Sequence, residues 1–214
     1  MTDVALFPIP GAVSFPGVPR TLHVFEPRYR QMVKYCIEQD LPIGVCHIRK
    51  VIRANETVQT REEALNNNQS TYLPEQVMSA GPVELLQELE DGRLLIRVNP
   101  ERRLKLDVEK QTLPFSIWEC KDFPDQPVAN SQRDALSQTK EKILQRLMIL
   151  SHEYPDVKAS LAGDYWQRMP AEAFSFAVTS MIGMPAELAQ ALLEQTEPQR
   201  RLDDILEMIN GIPR

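Results

Sequence analysis

The stretch FPGVPRTLHVFEPRYRQMV, Phe15–Val33, packs three prolines and a glycine among apolar residues in nineteen positions. Proline and glycine mark corners, whereas apolar runs mark buried elements. The two signals are reconciled by dividing the stretch. Phe15-Pro16-Gly17 reads as a corner and Thr21 to Phe25 as a short strand. Glu26 then stands at a helix N-cap position, and Pro27 suits the first helical position, where its missing N–H costs nothing. Tyr29, Met32, Val33, Cys36 and Ile37 follow at i, i+3, i+4, i+7 and i+8, one apolar helix face. Leu41-Pro42 ends that helix.

On either side of this helix the pattern has period two. Val4 to Phe7 and Val13 to Phe15 read as strands cut by prolines. Proline is tolerated in sheets mainly at edges and strand starts, so these pieces suit a small irregular barrel. The clearest hairpin is Val83 to Val98, where Leu94, Ile96 and Val98 alternate with Arg93, Leu95 and Arg97 around Asp91-Gly92. That dipeptide predicts a two-residue type I′ turn. Leu104, Leu106 and Val108 alternate with Arg103, Lys105 and Asp107 in a further strand, and Phe115 to Cys120 makes another. Asn66 to Ser70, NNNQS, reads as a loop tip, and the polar segment 53–75 as a flap.

Beyond the turn-rich join DFPDQPVANSQ, Asp122 to Gln132, the period changes to 3.6. A long helix is predicted from about Ser131 to His152, with shorter ones near 157–168, 171–182, 186–195 and 199–209; Gly211 stands just past the last. The expected class is therefore α+β: a mostly antiparallel β pseudo-barrel with one inserted helix over 1–122, then a C-terminal helical bundle over 123–214.

The 214 residues carry a net charge of −6, and no part of the chain conceals a basic region. Up to residue 125 there are 15 basic and 18 acidic residues, and beyond it 9 and 12. Phosphate contacts supply most nucleic-acid affinity, so this balance speaks against a nucleic-acid partner. Cys36, Cys46 and Cys120 are odd in number and form no CxxC pair, against a disulfide framework or a structural zinc site. No run reaches 18 apolar residues and the opening MTDVALFPIPG lacks a signal-peptide pattern, so neither a membrane partner nor export is expected. The expected location is the cytoplasm.

LFPIPGAVSFPGVPRTLHVFEPRYRQMV, Leu6 to Val33, resembles the opening signature of the Lon N-terminal domain, the substrate-binding module of ATP-dependent Lon proteases and of free-standing bacterial proteins. The family's leucine-phenylalanine-proline start falls on Leu6 to Pro8. Its phenylalanine-proline-glycine corner falls on Phe15, Pro16 and Gly17. Its histidine-to-tyrosine run falls on His23, Phe25, Glu26, Pro27, Arg28 and Tyr29. The hairpin around Asp91-Gly92-Arg93, the strand Arg103 to Leu106 and the closing helix with Arg201-Leu202 and Leu206 match more loosely. The resemblance implies a PUA-like pseudo-barrel followed by helices. It also implies a non-catalytic module that binds unfolded or partly folded polypeptides, acting alone, as an adaptor, or with a separate protease. No GxxxxGK[ST] phosphate loop occurs, and no cofactor is implied. The rival reading is a scaffold protein that docks one folded partner, or weakly self-associates, through its helical half.

Other polar groups read as structure. Ser79-Ala80-Gly81-Pro82 echoes a protease serine loop, but a nucleophile needs a base within reach and none is matched. His23 reads as a hydrogen-bonded structural histidine. Cys46 and His47 are adjacent in a strand and point to opposite faces, so they do not share a metal. Glu26 reads as a helix cap with Arg28 paired to a nearby carboxylate. Glu62-Glu63 and Asp203-Asp204 read as solvated faces or first-turn charges that complement a helix dipole, and Trp118 and Trp166 as packing residues.

Overall fold

A computed structural model describes residues 1–53 and 71–212. The expected NNNQS loop, Glu62-Glu63 and the central part of the 53–75 flap lie outside these residues. The chain divides into two compact units, Met1–Pro124 with Met184–Leu193, and Asp125–Gly183 with Glu194–Arg214.

Among the described residues of Met1–Pro124, the first unit contains ten strands and one inserted helix: β1 (Thr2–Pro8), β2 (Arg20–Val24), α1 (Pro27–Gln39), β3 (Ile43–Cys46), β4 (Ile48–Arg53), β5 (Thr71–Pro74), β6 (Val77–Gly81), β7 (Val83–Glu88), β8 (Leu94–Val98), β9 (Arg102–Gln111) and β10 (Ile117–Asp122). Five of the strands close a barrel in the order β1-β10-β9-β6-β3. Every pairing in it is antiparallel except β1 with β3. β2, β8 and β7 form a separate sheet, and β4 with β5 a two-stranded ribbon. This is the expected α+β class.

Successive side chains of β1 serve two cores, because strand residues alternate between faces. Val4 and Leu6 join Cys46, Met78, Leu104 and Cys120 inside the barrel. Ala5 and Phe7 point outward with Ile43 and Val45, and there they meet Leu94, Ile96 and Val98 of the second sheet and Met32, Val33 and Cys36 of α1. Both faces of β1 are thus buried, so its sequence is an apolar run rather than an alternation.

The structure corrects several local expectations. Val13 to Phe15 is buried but is not a strand. The β7–β8 hairpin has a longer turn than type I′, which requires φ > 0 at both central residues. Here only Gly92 has positive φ, at +79°. Gly92 N–H donates to the Leu89 carbonyl, and Leu89 N–H donates to the Arg93 carbonyl. Asp91 instead accepts from the Arg93 backbone and side chain. On α1, Ile37 is exposed although Tyr29, Met32, Val33 and Cys36 are buried. Eight residues on from Tyr29, the helix has drifted by about 80°, past the edge of the buried stripe. Val108 is exposed although Leu104 and Leu106 are buried. A register shift pairs Cys120 with Leu106 but Glu119 with Val108, so the extra residue, Asp107, moves Val108 to the outer face.

The predicted helices become six: α2 (Arg133–Leu150), α3 (Pro155–Leu161), α4 (Asp164–Arg168), α5 (Ala171–Ala177), α6 (Ala186–Glu194) and α7 (Pro198–Asn210). The helices predicted near 157–168 and 171–182 are both interrupted: the first at Ala162-Gly163, the second where α5 passes into a 3₁₀ turn at Val178–Met181. All of α6 except Glu194 belongs to the first unit. There Gln190 Nε2 donates to the Val77 carbonyl at 2.9 Å, and the buried Arg103 donates to the Leu193 carbonyl at 2.7 Å.

In the second unit α2 packs on α5 and α7. Its polar centre is Arg201, whose side chain is wholly buried. Arg201 donates to both carboxylate oxygens of Asp125, at 2.9 and 2.7 Å, to Ser175 Oγ at 2.8 Å and to the Gln195 carbonyl at 2.6 Å. Its guanidinium lies 3.7 Å from the centre of the Phe176 ring.

Candidate functional site

The signature residues separate into two places. Phe15 to Val18 form a turn closed by Val18 N–H to the Phe15 carbonyl, with Gly17 at φ +74°. Proline then glycine at the central positions is the pattern of a type II turn. Gly17 N–H donates to the Pro100 carbonyl, and Arg20 donates to the Val13 carbonyl, so this corner is architectural. On β2, the His23 side chain is exposed and makes no hydrogen bond among the described residues, so it is not the hydrogen-bonded structural histidine expected from sequence. Phe25, which follows β2, is also exposed.

Glu26, Pro27, Arg28 and Tyr29 form the start of α1. Glu26 stands at the N-cap position but its side chain makes no capping bond; its backbone carbonyl accepts from Tyr29 and Arg30. Its carboxylate pairs instead with Arg28, at 2.9 Å. Arg28 lies over the Tyr29 ring at 4.5 Å, and Tyr29 packs against Phe7 with ring centres 4.4 Å apart. Burial pushes the Tyr29 hydroxyl well above the ordinary phenol range, so it stays protonated.

Arg28 and Tyr29 form part of the wall of a groove of about 280 Å³. Leu6 and Pro8 of β1 contribute to the lining, with Tyr72, Leu73 and Pro74 of β5 and residues of the β9–β10 connection. Leu113 is 80% exposed and Leu73 41% exposed. Phe115, in the same lining, is buried, and its ring packs against that of Tyr35 in a tilted arrangement with centres 5.6 Å apart. One edge is polar. Trp118 Nε1 donates to Ser116 Oγ at 2.8 Å, and Ser116 Oγ donates to Glu109 Oε1 at 2.7 Å.

Leu73, Leu113 and Glu109 are not among the residues singled out from sequence, and Trp118, read there as a packing residue, instead lines the groove. The available signal was Leu113-Pro114-Phe115, three apolar residues in a connection otherwise flanked by polar ones. Ser79 Oγ is fully buried, with no hydrogen-bond partner among the described residues. Cys46 is buried, and His47 accepts a hydrogen bond from Gly11 N–H at 3.1 Å. Among the described residues no cluster of three or more His, Cys, Asp or Glu is placed to hold a metal, and no helix is long and apolar enough to cross a membrane.

The profile of the ATP-dependent protease La (LON) substrate-binding domain matches residues 3–211. A Lon N-terminal domain protein from Xanthomonas campestris has a similar fold, with a TM-score of 0.60 at 19% identity over the whole of both chains. The N-terminal domain of the Lon protease of Mycobacterium avium complex is also similar, with a TM-score of 0.70 at 12% identity over 99% of this chain and all of that one. No curated protein sequence gives a significant match.

Proposed function

Because the chain belongs to the Lon substrate-binding domain family, we propose that it is a non-catalytic module whose groove holds exposed apolar segments of unfolded polypeptide. The observation that carries this reading is the grouping of Leu113 and Leu73, two exposed leucines, around one concave surface. Burying a leucine contributes about 1.5–3 kcal/mol, so an apolar guest gains from covering both. Association and chain ordering offset much of that gain, which makes the binding weak and tolerant of sequence. Such a module holds a chain for a separate protease partner, in the cytoplasm, and needs no catalytic groups of its own. The burial of Ser79, away from the groove, is in keeping with that role.

The test is a titration of fluorescein-labelled, reduced and carboxymethylated α-lactalbumin, followed by anisotropy. Binding at about 10–100 μM is expected, abolished by the double substitution Leu73→Glu/Leu113→Glu and competed by an apolar peptide. No binding at about 100 μM, near −5.5 kcal/mol, overturns the proposal. So does binding that the double substitution leaves unchanged.

A further inference from the structure

Resting on that reading, we propose that Glu109 makes the groove selective, so that it takes apolar segments carrying a lysine or arginine beside their apolar side chains. Among the described residues, two charged ones line the groove, Arg28 and Glu109. They differ in what already neutralises them. The Arg28 guanidinium is 2.9 Å from the Glu26 carboxylate and lies against the Tyr29 ring, so its charge is satisfied within the wall. Glu109 is exposed, and no cation among the described residues pairs with it. Its neighbour Lys110 is engaged by Asp3 and Glu119, at 2.7 and 2.8 Å. A guest's cation therefore meets a carboxylate that it need not take from another partner.

The carboxylate is also held in place. Trp118 Nε1 bonds Ser116 Oγ, and the Ser116 hydroxyl proton is thereby directed to Glu109 Oε1. Trp118 and Ser116 line the same groove, so one chain of hydrogen bonds connects an apolar wall to the charged edge. A carboxylate oriented before binding loses less freedom when a guest arrives than a freely rotating one. The net charge of −6 favours approach of basic segments in the same sense.

The experiment compares two fluorescein-labelled peptides with one Leu/Phe-rich apolar core, flanked by lysine in one and by glutamate in the other. At low salt the lysine-flanked peptide should bind about three- to tenfold more tightly, the range expected when an exposed ion pair is exchanged for a repulsion. The preference should shrink at high salt. In Glu109→Gln it should fall below about twofold, mainly by weakening the lysine-flanked peptide, while the apolar contribution persists. Leu113→Glu should weaken both peptides. Equal affinities in the wild type overturn the selectivity and leave the groove reading intact. A lysine preference that stays above about twofold in Glu109→Gln overturns the assignment to Glu109. Absence of binding by either peptide at about 100 μM overturns the groove and its selectivity together.

Discussion

Replacing Asp125 with alanine strands a cation in the helical unit. Arg201 has no exposed surface, and Asp125 is its carboxylate partner through two hydrogen bonds. After Asp125→Ala, the bonds to Ser175 Oγ and the Gln195 carbonyl remain, together with the Phe176 ring, and none of these carries a full negative charge. Removing one partner of a buried pair costs about 3–5 kcal/mol. The Asp125 side chain is 20% exposed, so water reaches the vacated position and the low end, about 3 kcal/mol, is expected. With a urea slope of about 1–3 kcal/mol/M, the midpoint should fall by about 1–3 M. Trp166, buried against Phe174 in the same unit, reports the transition by fluorescence when Trp118 is replaced by phenylalanine in both proteins. Arg201→Met should cost less, because it leaves a carboxylate that already touches water and fills the site with apolar volume. A loss below about 1 kcal/mol for Asp125→Ala, or a larger loss for Arg201→Met, would mean that Asp125 does not compensate a buried cation.

Two glycines should respond unequally to alanine. At Gly44 the added Cβ meets Met78 Sδ at 2.4 Å, a flexible side chain, so Gly44→Ala should cost about 1–3 kcal/mol by overpacking. At Gly81 it meets the Asn99 backbone carbonyl at 1.9 Å, so Gly81→Ala should lower the melting temperature more than Gly44→Ala; equal losses would contradict this. Burial pushes the thiols of Cys36, Cys46 and Cys120 up to about 12, from 9.0. The folded state therefore keeps protons that the unfolded state releases, and the thiols' contribution to stability, complete below about pH 9, is lost as pH rises from 9 to 12. Denaturation midpoints measured across that range should fall, and less so in Cys46→Val. At pH 8, iodoacetamide should leave all three thiols unmodified in the native protein and alkylate them in urea.

Local chemistry in the sequence determined the strand-corner-helix opening, the passage from period two to period 3.6 and the α+β class. Proline and glycine constrain the backbone where they stand, and apolar periodicity specifies which face is buried. The two-residue turn at Asp91-Gly92, the inward Val108 and the buried Ile37 failed because a loop geometry, a bulge and a helix end depend on what the neighbouring element does. α6 could be predicted as a helix, but its membership in the barrel unit rests on bonds from Gln190 and to Leu193 that join residues some 90 to 113 positions apart. The same holds for Arg201, whose partners come from three separate segments. Arg28 and Tyr29 were legible as a distinctive pair. Their meeting with Leu73, Leu113 and the Glu109–Ser116–Trp118 chain was not, because a groove is a relation between segments distant in sequence, and only tertiary packing of α1, β5 and the β9–β10 connection beside β1 brings those segments together.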